Sequence, residues 1–303
     1  MLLYFMLEQL SFILLKVLFE KVHINWIYFS RRGDNTIVAA DEVYLFCVMR
    51  LFLVITLLIV GRMVLKLPYR VIMPVEPQKP DKTAYLASAM LVIVTILRTT
   101  DLGLSNIMQK LGVDSFFYVY INASDIYSQI TYFVIEMVVF PLLVELLFRG
   151  MILQLFRQFG DYFAIFVSAA AQACCYHEIS KMMFMFIMSI ALSTMVIKTG
   201  SIIPAAVMRV VTLNYVFLLN SLSMEKFDYA DHLTEVIVSL SVIVISFFVM
   251  YLLRVHTKKP FIMEKDSTEL DFSTKFKQFV NAPIAIIWLI VTMLSTILAV
   301  KFI

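Results

Sequence analysis

Charge is scarce in this sequence: only 16% of its 303 residues are Asp, Glu, Lys or Arg, against about 25% in soluble domains. Disordered chains need high charge with low hydrophobicity, so that class is excluded. Glycine (7 residues) and proline (8) are also few, which removes collagen-like repeats and low-complexity linkers. The three cysteines, Cys47, Cys174 and Cys175, are too few for a disulfide scaffold and have no metal-ligand spacing. HExxH is missing too, so no zinc site is expected. The net charge of +3 comes without a basic run interleaved with aromatics, so nucleic acid is not an expected partner.

What the chain has in abundance is apolar surface. Hydrophobic residues make up 61% and the mean hydropathy is +0.89. A membrane-spanning helix takes about 20 predominantly apolar residues. Candidate spans fall near 2–19, 43–65, 84–100, 126–156, 162–178, 182–198, 202–220, 234–253 and 283–302. The expected fold is therefore all-α, a polytopic transmembrane bundle of about eight to nine spans. Glu8 and Lys16 interrupt the first window, for which an interfacial amphipathic helix is the alternative. Glu8 also interrupts the run a cleavable signal would need, and no such signal is expected.

Loop charge predicts orientation. Segment 62–82 carries Arg62, Lys66, Arg70, Lys79 and Lys82, and segment 254–277 carries Arg254, Lys258, Lys259, Lys265, Lys275 and Lys277. Segments 101–125 and 221–233 are poor in Lys and Arg. By the positive-inside rule the first pair faces the cytoplasm, with the N-terminus cytoplasmic. Turns 157–161 and 198–201 then share that side.

Ionisable groups inside spans cost roughly 2.5–3.5 kcal/mol each on insertion scales, so they are functional candidates by default. Glu136, Glu145, Arg149, His177, Arg209 and Asn214 stand out. Glu145 lies 15 residues before Gly160 and His177 lies 17 after it. At 1.5 Å per residue these are roughly 22 and 26 Å from their shared turn. Asn214, 14 residues after Gly200, lies roughly 21 Å from its own turn. Three helices thus place polar groups at similar depth. Glu145 and Arg149, at i and i+4, share a face and form a candidate ion pair. Arg209 is a candidate to neutralise a buried carboxylate, and Arg50 must pair or snorkel. Glu136, nine residues before Glu145, falls on the opposite face at 100° per residue. It reads as a boundary carboxylate contacting water or headgroups. His177 and Asn214 read equally well as packing or hydrogen-bonding residues. His23, His232 and His256 fall in or near loops, leaving too few ligands for a catalytic metal.

Three blocks in order resemble the CPBP family of CAAX-processing endopeptidases and bacterial "Abi" or bacteriocin-immunity membrane proteins. Val144-Glu145-Leu-Leu-Phe-Arg149-Gly150 is similar to its EExxxR-G motif. Ala173-Cys-Cys-Tyr-His177 occupies the place of FxxxH. Thr199-Gly200-Ser201-Ile202-Ile203-Pro204, then Val210-Val-Thr-Leu-Asn214, occupies that of a Thr-Gly-Ser-Ile/Pro/HxxxN block. The resemblance covers about residues 125–220 and implies an intramembrane endopeptidase. In such an enzyme a glutamate and the first histidine activate water, while the second histidine and the asparagine stabilise the oxyanion. Glu145, His177 and Asn214 carry over as candidate catalytic residues and Arg149 as the motif's arginine, while Arg209, which matches no motif position, joins Arg149 as a candidate structural charge. Val144 stands at the first glutamate, Val210 at the second histidine and Ala173 at the aromatic.

A valine is neither a base nor a donor. Losing an oxyanion donor costs about 10²–10³ in rate, and losing the base a further 10²–10⁴. Rescue would need Glu145 as base and Arg209 as donor. The function expected from this pattern is a catalytically degenerate scaffold or regulator binding a membrane protein partner, by analogy a bacterial cell-envelope enzyme or sensor kinase. The alternative is an active glutamate-dependent endopeptidase cleaving a membrane-anchored or prenylated peptide. No cofactor is implied. The expected organisation is N-terminal helices and a cytoplasmic loop over 1–83, a CPBP-like core over 84–233, and C-terminal helices over 234–303.

Overall fold

A computed structural model describes residues 36–37, 40–66, 68–77, 79–110, 113–115, 120–121, 125–176, 179–224, 229–254 and 270–302. Nine helices carry the architecture among them: α1 (Ala40–Leu65), α2 (Pro80–Lys110), α3 (Ile126–Phe159), α4 (Asp161–Ala173), α5 (Ile179–Thr199), α6 (Ile203–Met224), α7 (Tyr229–Leu253), α8 (Phe272–Val280) and α9 (Pro283–Ala299). The remaining regular structure is one helical turn, Tyr69–Ile72, and four strands of two or three residues that pair as Thr36–Ile37 with Tyr120–Ile121 and Val113–Ser115 with Val300–Phe302. The fold is all-α, as expected from composition.

Five of these helices are long and apolar enough to cross a membrane, and a sixth span results if α8 and α9, bent by 70°, count as one. The apolar windows at 43–65, 84–100, 126–156, 182–198 and 234–253 all fall on the five. The window at 162–178 contains α4, only 13 residues long and so roughly 20 Å, short of the roughly 30 Å hydrocarbon layer. Window 202–220 coincides with the shorter apolar helix Ile203–Leu219, and window 2–19 lies outside the described residues.

Local chemistry sets the boundaries. Asp125 caps α3, its carboxylate accepting from the Ser128 amide at 2.9 Å, which satisfies one orphan donor. Gly160, at φ 109, turns the chain between α3 and α4 in a conformation that suits glycine. Gly200, at φ 67, ends α5, and Pro204 follows in the first turn of α6, the usual stop-and-start pairing.

The core has two apolar clusters. In one, Leu86, Met90 and Val94 of α2 meet Met188, Leu192 and Met195 of α5 and Ala205 and Met208 of α6. In the other, Leu53, Val54 and Leu57 of α1 meet Val144, Leu147 and Met151 of α3 and Trp288 of α9. On α4, Ala164, Ser168, Ala169, Ala171 and Ala173 are all buried, and such small side chains let helix backbones approach closely. Conversely, α7 exposes Val236, Leu240, Val244, Phe247, Phe248 and Tyr251, as a lipid-facing helix should.

Four connecting segments gather at one end of the bundle. Around the α3–α4 turn Phe163 makes edge-to-face contacts with Phe156 and Phe159, and Phe156 and Phe163 do so with Phe279 of α8. The stretch after α1 lies across the α5–α6 turn: Ile202 N–H donates to the Pro74 carbonyl at 3.0 Å, and the Lys82 ammonium donates to the Lys198 carbonyl. A Cβ on Gly150 would collide with the Ile72 carbonyl, and one on Gly200 with the Glu76 carboxylate. Both glycines are thus seats for this stretch.

Candidate functional site

The site is built around α3, which is not a uniform α-helix. Ile135–Val139 and Leu146–Ile152 are π-helical, on either side of the α-helical segment Phe140–Glu145. Pro141 lies in that middle segment and has no N–H to offer the carbonyl four residues earlier, Met137's. Asn214 of α6 takes its place: its side-chain amide donates to Met137 O at 3.1 Å and to Val210 O at 2.8 Å. A primary amide has two N–H donors, so both are engaged by backbone carbonyls.

Glu145 is fully buried at the end of the middle segment. Arg149 Nε lies 3.1 Å from Glu145 Oε2, with both side chains at 0% exposure. Arg209 Nε, from α6, lies 4.0 Å from Glu145 Oε1. The carboxylate therefore sits between two guanidinium groups from different helices. The outer nitrogens of both arginines are engaged as well. Arg149 donates to Gln172 Oε1 of α4 and, at 3.3 Å, to the Ser189 carbonyl of α5. The Ser189 hydroxyl donates to the same Gln172 oxygen. Arg209 donates to Tyr176 Oη at 3.2 Å and lies against the sulfurs of Met185 and Met188 at 3.4 and 3.2 Å. One charged layer thus ties α3, α4, α5 and α6 together.

Of the residues singled out by sequence, the structure brings together Glu145, Arg149 and Arg209. It does not bring Asn214 to them: Met137, which Asn214 contacts, precedes Glu145 by eight residues, roughly 12 Å along the axis. His177 lies outside the described residues. Val144, next to Glu145, points into the apolar cluster with Leu57 and Trp288. Ala173 is buried on α4, and Val210 serves through its carbonyl. Among the described residues no group of three His, Cys, Asp or Glu is placed to hold a metal ion.

Glu136 corrects the expectation of a carboxylate open to water or headgroups. It is 9% exposed and lies 3.2 Å from Arg50 Nε, while the Arg50 guanidinium stacks 4.1 Å above the Phe140 ring. Two intramembrane charges from α1 and α3 thereby neutralise each other. A second pair, Arg98 of α2 with Glu235 of α7 at 3.8 Å, was not found by sequence reasoning. The signal was there: Arg98 closes one apolar window and Glu235 opens another, and each needs a partner of opposite sign. Gln172, Ser189 and Tyr176 were also missed. Of these only Gln172, a lone amide in an alanine-rich stretch, gave a hint.

The fold and this buried charged layer define a multi-pass integral membrane protein whose polar residues face the bundle interior. The family model described as type II CAAX prenyl endopeptidase Rce1-like matches residues 126–214, which run from the start of α3 to Asn214. Over that segment, less than a third of the chain, the sequence is similar to the CAAX-processing CPBP family, and the apolar helices mark a multi-pass membrane protein. No curated protein and no solved structure matches the chain.

Proposed function

We propose that this chain is a catalytically silent CAAX-protease-like protein that uses its helical core to hold a membrane protein partner. One observation carries the reading: Glu145 is fully buried between Arg149 and Arg209. A general base must reach a water at about 3 Å, whereas the Glu145 side chain has no exposure and its two oxygens face the guanidinium groups of Arg149 and Arg209. Two further candidates, among the described residues, are engaged as well. Asn214 directs both N–H groups at backbone carbonyls. Arg209, the one available substitute for the missing imidazole, is taken up by Glu145 and Tyr176. The charges of the matched segment compensate one another across α3 and α6.

The end of the bundle that gathers segments 68–82, 157–161, 198–202 and 270–280 carries Lys79, Lys82, Arg157, Lys198, Lys275 and Lys277. On the positive-inside rule this is the cytoplasmic end, which fits a partner acting at the cytoplasmic face, such as a cell-envelope enzyme or a sensor kinase. The segment over 84–233 is the part proposed to hold it, flanked by the helices of 1–83 and 234–303.

The test is affinity capture of the full chain from membranes solubilised in mild detergent, with and without His177→Ala. A scaffold returns one stoichiometric membrane protein, captured equally by both forms and intact in both. An endopeptidase gives no such partner, or one whose cleavage stops with His177→Ala.

A further inference from the structure

Between the end of α1 and the middle of α3 lies a groove of about 660 Å³, within the range of about 300–1,000 Å³ typical of ligand sites. None of its lining residues belongs to the Glu145 layer. Its apolar wall includes Met63, Ile72 and Met151, and its mouth carries Arg62, Lys66 and Tyr69.

The groove is a consequence of the chain path. The span Cys47–Leu65 is followed by Lys66, whose φ of 51 lies in the left-handed region. Tyr69–Ile72 then returns alongside α3 and is seated on Gly150. Arg62 is held at the mouth: its guanidinium stacks 3.4 Å from the Tyr69 ring centroid and donates to the Tyr69 hydroxyl. Among the described residues neither Arg62 nor Lys66 has an acidic partner. Met63 is 70% exposed beside them, so the apolar wall opens outward at the level where the span ends.

Two cations at the end of a span, above an outward-facing apolar groove, complement one molecule with a phosphate head and hydrocarbon tails. We infer that this groove binds a single anionic phospholipid. Its phosphate lies at Arg62 and Lys66, and an acyl chain lies along Met63, Ile72 and Met151. A zwitterionic lipid offers the same chains, but its own ammonium offsets the attraction. The site is independent of whether the protein cleaves peptides.

The experiment is native mass spectrometry of the full chain in detergent, titrated with phosphatidylglycerol and separately with phosphatidylcholine of the same acyl chains. The expected result is a one-to-one phosphatidylglycerol adduct at lower lipid concentration than the phosphatidylcholine adduct. Each Lys or Arg near an anionic surface is worth about a fivefold preference, so Arg62→Gln with Lys66→Gln should weaken phosphatidylglycerol binding roughly 25-fold. Phosphatidylcholine binding should not change. Met63→Glu, at an exposed position, places a carboxylate beside both cations and should abolish the preference independently. Three results would each overturn the inference: equal binding of the two lipids by the parent chain, a preference that survives either variant, or competition by glycerol phosphate alone as strong as by the intact lipid.

Discussion

Glu145→Gln keeps the side chain's shape and removes its charge, leaving Arg149 and Arg209 facing each other across a site with no exposure. The closest approaches are 3.1 and 4.0 Å, which at an effective dielectric of 20 correspond to gross attractions of roughly 5 and 4 kcal/mol. The carboxylate's own desolvation offsets part of this. Breaking a buried pair by removing one partner typically costs about 3–5 kcal/mol net, and that is the loss of stability expected here. The assay is reversible unfolding in mixed micelles, run as a cycle with Arg149→Met. If Glu145 compensates Arg149, the double variant is more stable than the sum of the two single losses implies, with a coupling of at least about 2 kcal/mol. Coupling within about 0.5 kcal/mol of zero would refute the reasoning, because the carboxylate would then not be holding the arginine.

Asn214→Ala should cost about 1–2 kcal/mol, because it exposes the Met137 carbonyl that Pro141 leaves without its N–H donor. In a Pro141→Ala background, where the backbone regains that donor, the same change should cost measurably less in the same unfolding assay. Gly150→Ala should destabilise by about 1–3 kcal/mol, the usual cost of overpacking, since the new methyl meets backbone rather than a movable side chain. Gly200→Ala adds a left-handed backbone to a clash with Glu76 and should lower thermal stability by at least the 1–2 kcal/mol that conformation costs a residue with a Cβ.

The spans were legible because bilayer thickness imposes one length and one composition on each. Where a local device overrode that pattern, less was readable. The stretch 162–175 has only Ser168 and Gln172 to interrupt its run of apolar and aromatic residues, yet α4 stops at Ala173 with a turn at Cys174 and Cys175, and apolarity alone does not locate such a stop. Glu145 and Arg149 were readable as a pair because four residues is a local distance. Arg209 was readable only as a cation needing an anion, since which carboxylate it meets depends on how α6 packs. Glu136 was misjudged for a physical reason: it lies in the π-helical turn Ile135–Val139, where hydrogen bonds span five residues rather than four. An angle counted at 100° per residue drifts there, and the pairing with Arg50 depends on the packing of α1. The role of Asn214 could have been anticipated from Pro141, since a proline inside a span frees the carbonyl four residues earlier. The contacts of Ile72 with Gly150 and of Glu76 with Gly200 join segments far apart in the chain. A glycine in an apolar helix hints at close approach without saying to what.

The central claim, that the charged layer stabilises the bundle and does not hydrolyse peptides, is tested most directly by sequencing new protein termini in membranes. Cells expressing the parent chain, the His177→Ala variant or no copy would be compared. The account predicts the same set of termini in all three. Termini present with the parent and missing in both other samples would contradict it.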